Sequence, residues 1–285
     1  MIKDSIEVLL LGAAQDGGCP HCGCSCGNCV AAREDPLLSE LPASIAIISH
    51  TDKRYWLIDA TPALPEQLAR IEQVAPDYTF SGVFLTHAHI GHYTGLMFLG
   101  KEVMCTQNTP VYVSSLMGKF LKENAPWSQL IDKHNIVLNF IAEGEEIRLT
   151  SEVSVEAVCV PHRDEFSDTF AFVLHGPARK LFYCPDIDAW EPWQYDVEVF
   201  LADIDYALID GTFFSDKELP QTRLSNIPHP TVRSTCDKLA SLGDKVTFIH
   251  MNHSNPLYRK GIERKKVLGM GFNIGRSGLR WSLSR

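Results

Sequence analysis

A short apolar run, Gly82-Val83-Phe84-Leu85, ends in Thr86 and runs into His87-Ala88-His89-Ile90-Gly91-His92. No other stretch limits the fold so tightly. An apolar run of this length bounded by turn residues reads as a buried strand. Three imidazoles on one tight turn behind it make a poor core but a good metal site, because neutral imidazole is a preferred ligand of zinc and similar ions. His87 and His89 alternate along extended backbone, so their side chains leave on the same side. The residues from Tyr93 to Leu99 predict an apolar helix, and His92, in its first turn, approaches from another direction.

The same arrangement recurs along the chain. Strand-like runs at 55–58, 153–160, 181–183, 206–209 and 246–249 are followed at once, or within a few residues, by Asp59, His162, Asp186, Asp210 and His250. Ligands that leave many strand ends at one sheet edge are how α/β proteins assemble sites. Further strands are predicted at 7–11, 44–49, 111–113, 136–140, 147–149, 170–174 and 279–281. Helices are predicted at 65–73, 115–124 and 263–268, and from Pro230 to about Leu242. The strands fall into two batches, before and after Ser128, which suits two stacked sheets in one domain spanning 1–285.

Apolar residues make up 45% of the chain, enough for a large core without disulfides. A formal charge of −9 argues against broad nucleic-acid binding. Val8-Leu9-Leu10-Leu11 is too short for a secretory signal, follows Lys3, Asp4 and Glu7, and is interrupted by Gly12. No run approaches a membrane span, so the expectation is a soluble cytoplasmic protein. Cys19, Cys22, Cys24, Cys26 and Cys29 crowd the loop 19–29, which in a reducing compartment reads as metal ligation rather than disulfides. Cys105, Cys159, Cys184 and Cys236 lie in apolar runs and read as small buried hydrophobes.

These residues resemble the metallo-β-lactamase superfamily, whose fold is a four-layer αββα sandwich, an α/β (α+β) architecture with metals at one edge between the sheets. Thr86 to His92 is similar to its His-x-His-x-Asp-His motif, except that Gly91 stands at the aspartate. The resemblance implies a structural role for Asp59. It also implies metal ligands at His87, His89, His92, His162, Asp186 and His250, with Asp186 shared between two ions. Within the superfamily the chain is similar to the B proteins of pyrroloquinoline quinone (PQQ) synthesis through the Gly-Gly loop with its cysteines, through Ile209-Asp210-Gly211-Thr212-Phe213-Phe214, and through Ile249-His250-Met251-Asn252-His253-Ser254-Asn255-Pro256. Those proteins lack the full histidine set. It also resembles the cyclic phosphodiesterase of bacterial phosphonate breakdown. That likeness implies a structural zinc on Cys24, Cys26, Cys29 and His253, and a catalytic histidine at His229. Cys19 and Cys22 are left as a further ligand pair, free thiols or a redox pair.

Gly91 opens three outcomes: a mononuclear site, a second metal held weakly by His92, Asp186 and His250, or another carboxylate moving in, with Asp16, Asp164 and Asp210 in position. Glycine supplies no ligand of its own. The expectation is one metal held well and a second weak or absent, the ion being zinc, iron or manganese. Asp164 and Glu165 read as pocket lining or as surface. The resulting function is a metallo-hydrolase in which activated water attacks a phosphodiester or other small ester-like bond, with Asp186 and His229 catalytic. An iron-dependent oxidative enzyme of cofactor synthesis and a binding protein with a decayed site are the alternatives. The expected partner is a small anionic molecule, with no nucleic acid or membrane, and a homodimer is compatible with the sequence.

Overall fold

The computed structural model describes residues 5–218 and 228–285. The strands are β1 (Ile6–Gly12), β2 (Ser44–Ser49), β3 (Arg54–Ile58), β4 (Thr79–Phe84), β5 (Thr109–Val113), β6 (Ile136–Phe140), β7 (Glu146–Arg148), β8 (Ser154–Cys159), β9 (Phe170–His175), β10 (Lys180–Cys184), β11 (Tyr206–Asp210), β12 (Val246–Ile249), β13 (Asn273–Ile274) and β14 (Arg280–Ser282). They form two seven-stranded sheets, ordered β14-β1-β2-β3-β4-β5-β6 and β13-β12-β11-β10-β9-β8-β7. The division falls after Phe140 rather than near Ser128, and the last strand crosses back to pair with β1. The apolar pattern of β6 suits either sheet; parallel pairing with β5 assigns it.

Period-two side chains explain the layering. Ile6, Val8 and Leu10 of β1 face β9 and β10 across the sandwich, with Phe172, Leu174, Leu181 and Tyr183 in the same buried cluster. Leu9 and Leu11 point the other way and pack with Leu64 and Ile71 of the helix Leu64–Val74. On the second sheet Phe182, Ala207 and Ile209 face outward onto the helices Val197–Ala202, Val232–Lys238 and Ile262–Gly269. Strands buried on both faces read as continuous apolar runs, which is why they were visible in the sequence. The result is the αββα sandwich.

Two helix expectations are corrected. Helix after His89 covers only Ile90–Tyr93 and tightens to 3-10 geometry over Thr94–Leu99, where Gly95 passes so close to Thr61 that a Cβ would overlap its carbonyl oxygen. Pro230 precedes its helix instead of opening it: Thr231 is the cap, accepting from Ser234 N at 3.1 Å, and the helix ends at Lys238. Among the described residues no helix is long and apolar enough to cross a membrane.

Phe172 has no exposed surface and meets Phe84 edge-on at 5.5 Å across the two sheets. Phe172→Ala is expected to cost about 3–5 kcal/mol, read from urea unfolding of metal-replete protein.

Candidate metal centre

The parallel strands of both sheets end at the same edge, so residues just beyond them converge. Asp59 follows β3, the histidine turn follows β4, His162 follows β8, Asp186 follows β10, Asp210 closes β11 and His250 follows β12. Asp59 and His250 have positive φ (68° and 57°), so the backbone turns sharply where each leaves its strand.

Each histidine has one ring nitrogen engaged outward. His87 Nδ1 lies 2.9 Å from Thr86 Oγ1, which itself donates to Asp59. His92 Nδ1 donates to Asp59 at 2.7 Å, and His162 Nδ1 to Asp188 at 2.7 Å. His250 Nδ1 meets Thr212 Oγ1 at 3.0 Å, and that hydroxyl donates to the His250 carbonyl. His89 is reversed: its Nε2 donates to Glu165 at 3.0 Å. This network assigns the proton to the outer nitrogen and leaves an inward lone pair on the other, the arrangement that aims metal-binding histidines.

The inward atoms form two groups that share Asp186. His89 Nδ1 lies 2.8 Å from His87 Nε2 and 3.2 Å from His162 Nε2. Asp186 Oδ2 is 3.4 Å from His87 Nε2, and its Oδ1 is 3.5 Å from His162 Nε2. In the second group Asp186 Oδ2 lies 3.6 Å from the Nε2 atoms of both His92 and His250. Asp16 Oδ1 joins them, 3.3 Å from His92 Nε2 and 3.8 Å from His250 Nε2. Asp16 Oδ1, His92 Nε2, His250 Nε2 and Asp186 Oδ1 are all buried without a hydrogen-bond partner. Buried polar atoms are rarely left so, and inward lone pairs facing one another repel unless a cation lies between them. The donor set therefore fits divalent metal.

The electrostatics agree. Burial, reinforced by the charge of His92, pushes His87 well below its ordinary pKa and keeps it neutral. Burial opposes charge on His92 too, but Asp59 and Asp16 outweigh it and hold that ring well above its usual value. A place that favours a proton this strongly favours a metal cation in its stead. Burial works against ionisation of Asp186, yet His162, His250, His87 and His229 hold it well below the carboxylate range.

His229 stands beside the cluster with its side chain buried. Its Nδ1 is 2.7 Å from Asp210 Oδ2 and 3.4 Å from Asp186 Oδ1. Burial alone would lower its pKa; Asp210 and Asp186 raise it to about 9. Asn226 and Ile227, which precede it, lie outside the described residues. Asp210 itself is fully engaged, accepting also from Ile187 N and Thr212 N.

The cysteine loop is a separate centre. Donor atoms of Cys24, Cys26, Cys29 and His253 lie within 4.8 Å of one another. His253 Nδ1 is 3.4 Å from Cys24 Sγ and 3.5 Å from Cys26 Sγ. Backbone amides of Cys26 and His21 donate to Cys24 and Cys29 sulfurs at 3.3 and 3.2 Å, as they do to thiolates. Three sulfurs and one imidazole fit a closed tetrahedral zinc site. Cys19 is buried and Cys22 exposed, and neither is among these four donors. Of the other cysteines Cys184 and Cys236 are buried as expected, but Cys159 is only partly buried and Cys105 is exposed just past a turn.

A cavity of about 910 Å³ opens beside the histidines, lined by Asp16, His89, Tyr93, Arg163, Glu165 and Phe166 among others. Trp190 and Trp193 pack behind the second sheet. Sequence reasoning missed Asp188 and Thr212 as partners of His162 and His250, and no spacing rule would have found them.

A four-layer αββα sandwich with a histidine–aspartate cluster at the shared sheet edge is the metallo-β-lactamase fold. The chain belongs to the Beta-lactamase superfamily domain family, whose pattern matches residues 54–251. It is 25% identical to Coenzyme PQQ synthesis protein B of Rhizobium meliloti (strain 1021), over 96% of this chain and 97% of that one. Zn(2+)-bound PqqB from Methylobacterium extorquens superposes with a TM-score of 0.80 at 21% identity, covering 96% of this chain and 99% of that one. A diphosphatase from the PhnP family follows with a TM-score of 0.72 at 19% identity, covering 97% and 96%.

Proposed function

We propose that this protein is a metal-dependent hydrolase acting on a phosphodiester or other small ester-like bond. One observation carries the reading: of five histidines each tied outward through one ring nitrogen, His87, His92, His162 and His250 turn the other toward a single buried carboxylate, Asp186, and His89 turns its own to the inward nitrogens of His87 and His162. His87, His89, His162 and Asp186 would hold a first ion. A divalent ion there brings the pKa of water toward neutrality and polarises a phosphoryl or acyl oxygen.

The chain's own groups supply the rest. Asp210 holds His229 through Nδ1, so the imidazolium presents its Nε2 proton to a leaving-group oxygen. Arg163 on the cavity wall supplies positive charge for an anionic substrate. Glu165, bound to His89, keeps that ring oriented at the mouth. The fold shared with the PhnP-family diphosphatase is in keeping with hydrolysis at a phosphoryl group.

His87→Ala and His89→Ala should each lower hydrolysis of bis(p-nitrophenyl) phosphate, and of any better substrate found in a panel of phosphodiesters, esters and lactones, by at least ~10³-fold. No hydrolysis across the panel, unchanged by His87→Ala, would sink the reading. His229→Asn should retain metal yet slow substrates with alkoxide leaving groups by ~10²–10⁴-fold, while nitrophenyl esters lose far less, because a good leaving group needs no proton. Equal loss for both classes would remove His229 from the proton-donor role. The likeness to the PQQ synthesis protein supports a second reading, an iron-dependent oxidation, since an imidazole–carboxylate set also suits iron. Turnover of iron-loaded protein that is identical with and without oxygen counts against it.

A further inference from the structure

The motif carboxylate missing at Gly91 has an oxygen in its place. Asp16, on the loop after β1, brings Oδ1 to 3.3 Å from His92 Nε2 and 3.8 Å from His250 Nε2, and all three atoms are buried without a hydrogen bond. Asp16 as a residue is partly exposed, on the wall of the large cavity, but this oxygen is turned inward.

Gly91 is what makes room for it. A Cβ on residue 91 would overlap Asp16 Oδ1 and would lie 2.7 Å from Asp16 Cα and Cγ. Moving the Asp16 side chain alone would not relieve that contact, because one of the atoms is backbone. The loop cannot retreat freely either. Gln15 N donates to Met251 O at 2.9 Å, Met251 N to Ala13 O at 2.9 Å, and Ala14 N to Leu41 O at 2.9 Å. A side chain at 91 and the aspartate at 16 therefore exclude each other. Asp210 cannot fill the role, since its oxygens already accept from Ile187 N, Thr212 N and His229.

We infer that Asp16 and Gly91 are an exchanged pair, in which the second-site carboxylate comes from the loop after β1 rather than from the histidine motif, and that with His92, His250 and the shared Asp186 it completes a binuclear centre. The inference rests on the histidine cluster being a metal centre, and it replaces the expectation of a weak or absent second ion. Its consequence is positional. The carboxylate belongs to the loop that walls part of the cavity and that leads within eight residues to Cys24, so one ligand of the second ion, part of the cavity wall and the three cysteines of the tetrad lie on one stretch of chain.

Zinc per chain is the deciding measurement, made by elemental analysis after expression with added zinc and dialysis into zinc-free buffer. Wild type should hold about three, one on the cysteines and two on the histidine cluster. Asp16→Asn, which keeps size and shape, should hold about two, with the second zinc bound at least ~100-fold more weakly by titration. Gly91→Ala should match it. Manganese-loaded protein gives an independent readout: an exchange-coupled pair signal in its electron paramagnetic resonance spectrum for wild type, and an isolated-ion spectrum for Asp16→Asn. Full zinc and a coupled signal in folded Asp16→Asn would overturn the inference and leave the hydrolase reading intact. So would wild type holding only about two zincs, one of them lost in His87→Ala. A single zinc unaffected by His87→Ala would instead defeat the metal-centre reading itself. Should Gly91→Ala fail to fold, Asp16→Asn alone decides.

Discussion

Asp186→Asn is expected to lose both ions of the histidine cluster and at least ~10³-fold in turnover, about 4 kcal/mol of transition-state stabilisation. This carboxylate lies within 3.6 Å of five imidazole nitrogens, from His87, His92, His162, His229 and His250. Its two oxygens face different groups, Oδ1 toward His162 and His229, Oδ2 toward His87, His92 and His250. An amide keeps the shape but offers only one oxygen and no charge, so it cannot serve both sides. Removing one buried partner also leaves the cations beside it uncompensated, which is costly in a low-dielectric site. Zinc analysis should show the cysteine equivalent alone. Retention of the remaining zinc would make Asp186 a structural residue and shift the shared-ligand role elsewhere.

The second large effect is expected from Cys24→Ser with Cys26→Ser. Zinc on thiolates is bound tightly enough to be part of folding free energy. Here it would join the loop 19–29 to His253, three residues past His250. Other ties remain when it goes: Asn28 Nδ2 donates to the carbonyls of His253 and Asn255 at 2.9 Å, and Arg259 Nε donates to Asn28 Oδ1. Opening should therefore be local at first. Trypsin should cut after Arg33, which donates to the carbonyls of Cys24 and His21. The melting temperature should fall on the order of 10 °C, the size of a loss of a few kcal/mol in a chain of this length. Because the same loop carries Asp16, the variant should also lose zinc from the histidine cluster, which a purely local staple would not cause. Unchanged trypsin resistance and an intact histidine-site zinc would show that the two centres are independent.

Much of this was legible in the chain. Strands buried on both faces leave unbroken apolar runs, so their ends, and the ligands standing there, could be marked without knowing the sheet order. The tight cysteine spacing and the histidine triplet are local signals of the same kind. Element boundaries were less legible where a close approach decided them: Gly95 against Thr61 turns the expected helix after Tyr93 into 3-10 geometry. The division between the sheets was misplaced because nothing in the composition of β6 says which neighbour it pairs with.

The sequence by itself determined which residues could bind metal and that they lie at strand ends, because ligand type and strand burial are written residue by residue. It also exposed the missing carboxylate at Gly91. The tertiary structure alone decided what fills that place. Asp16 and Gly91 are 75 positions apart, and their meeting depends on β1 and β4 lying in one sheet with the β1 loop sewn to Met251. The outward partners Asp188, Glu165 and Thr212 are of the same kind. Which nitrogen of an imidazole faces the metal depends on what holds the other one, and that is a property of packing rather than of spacing.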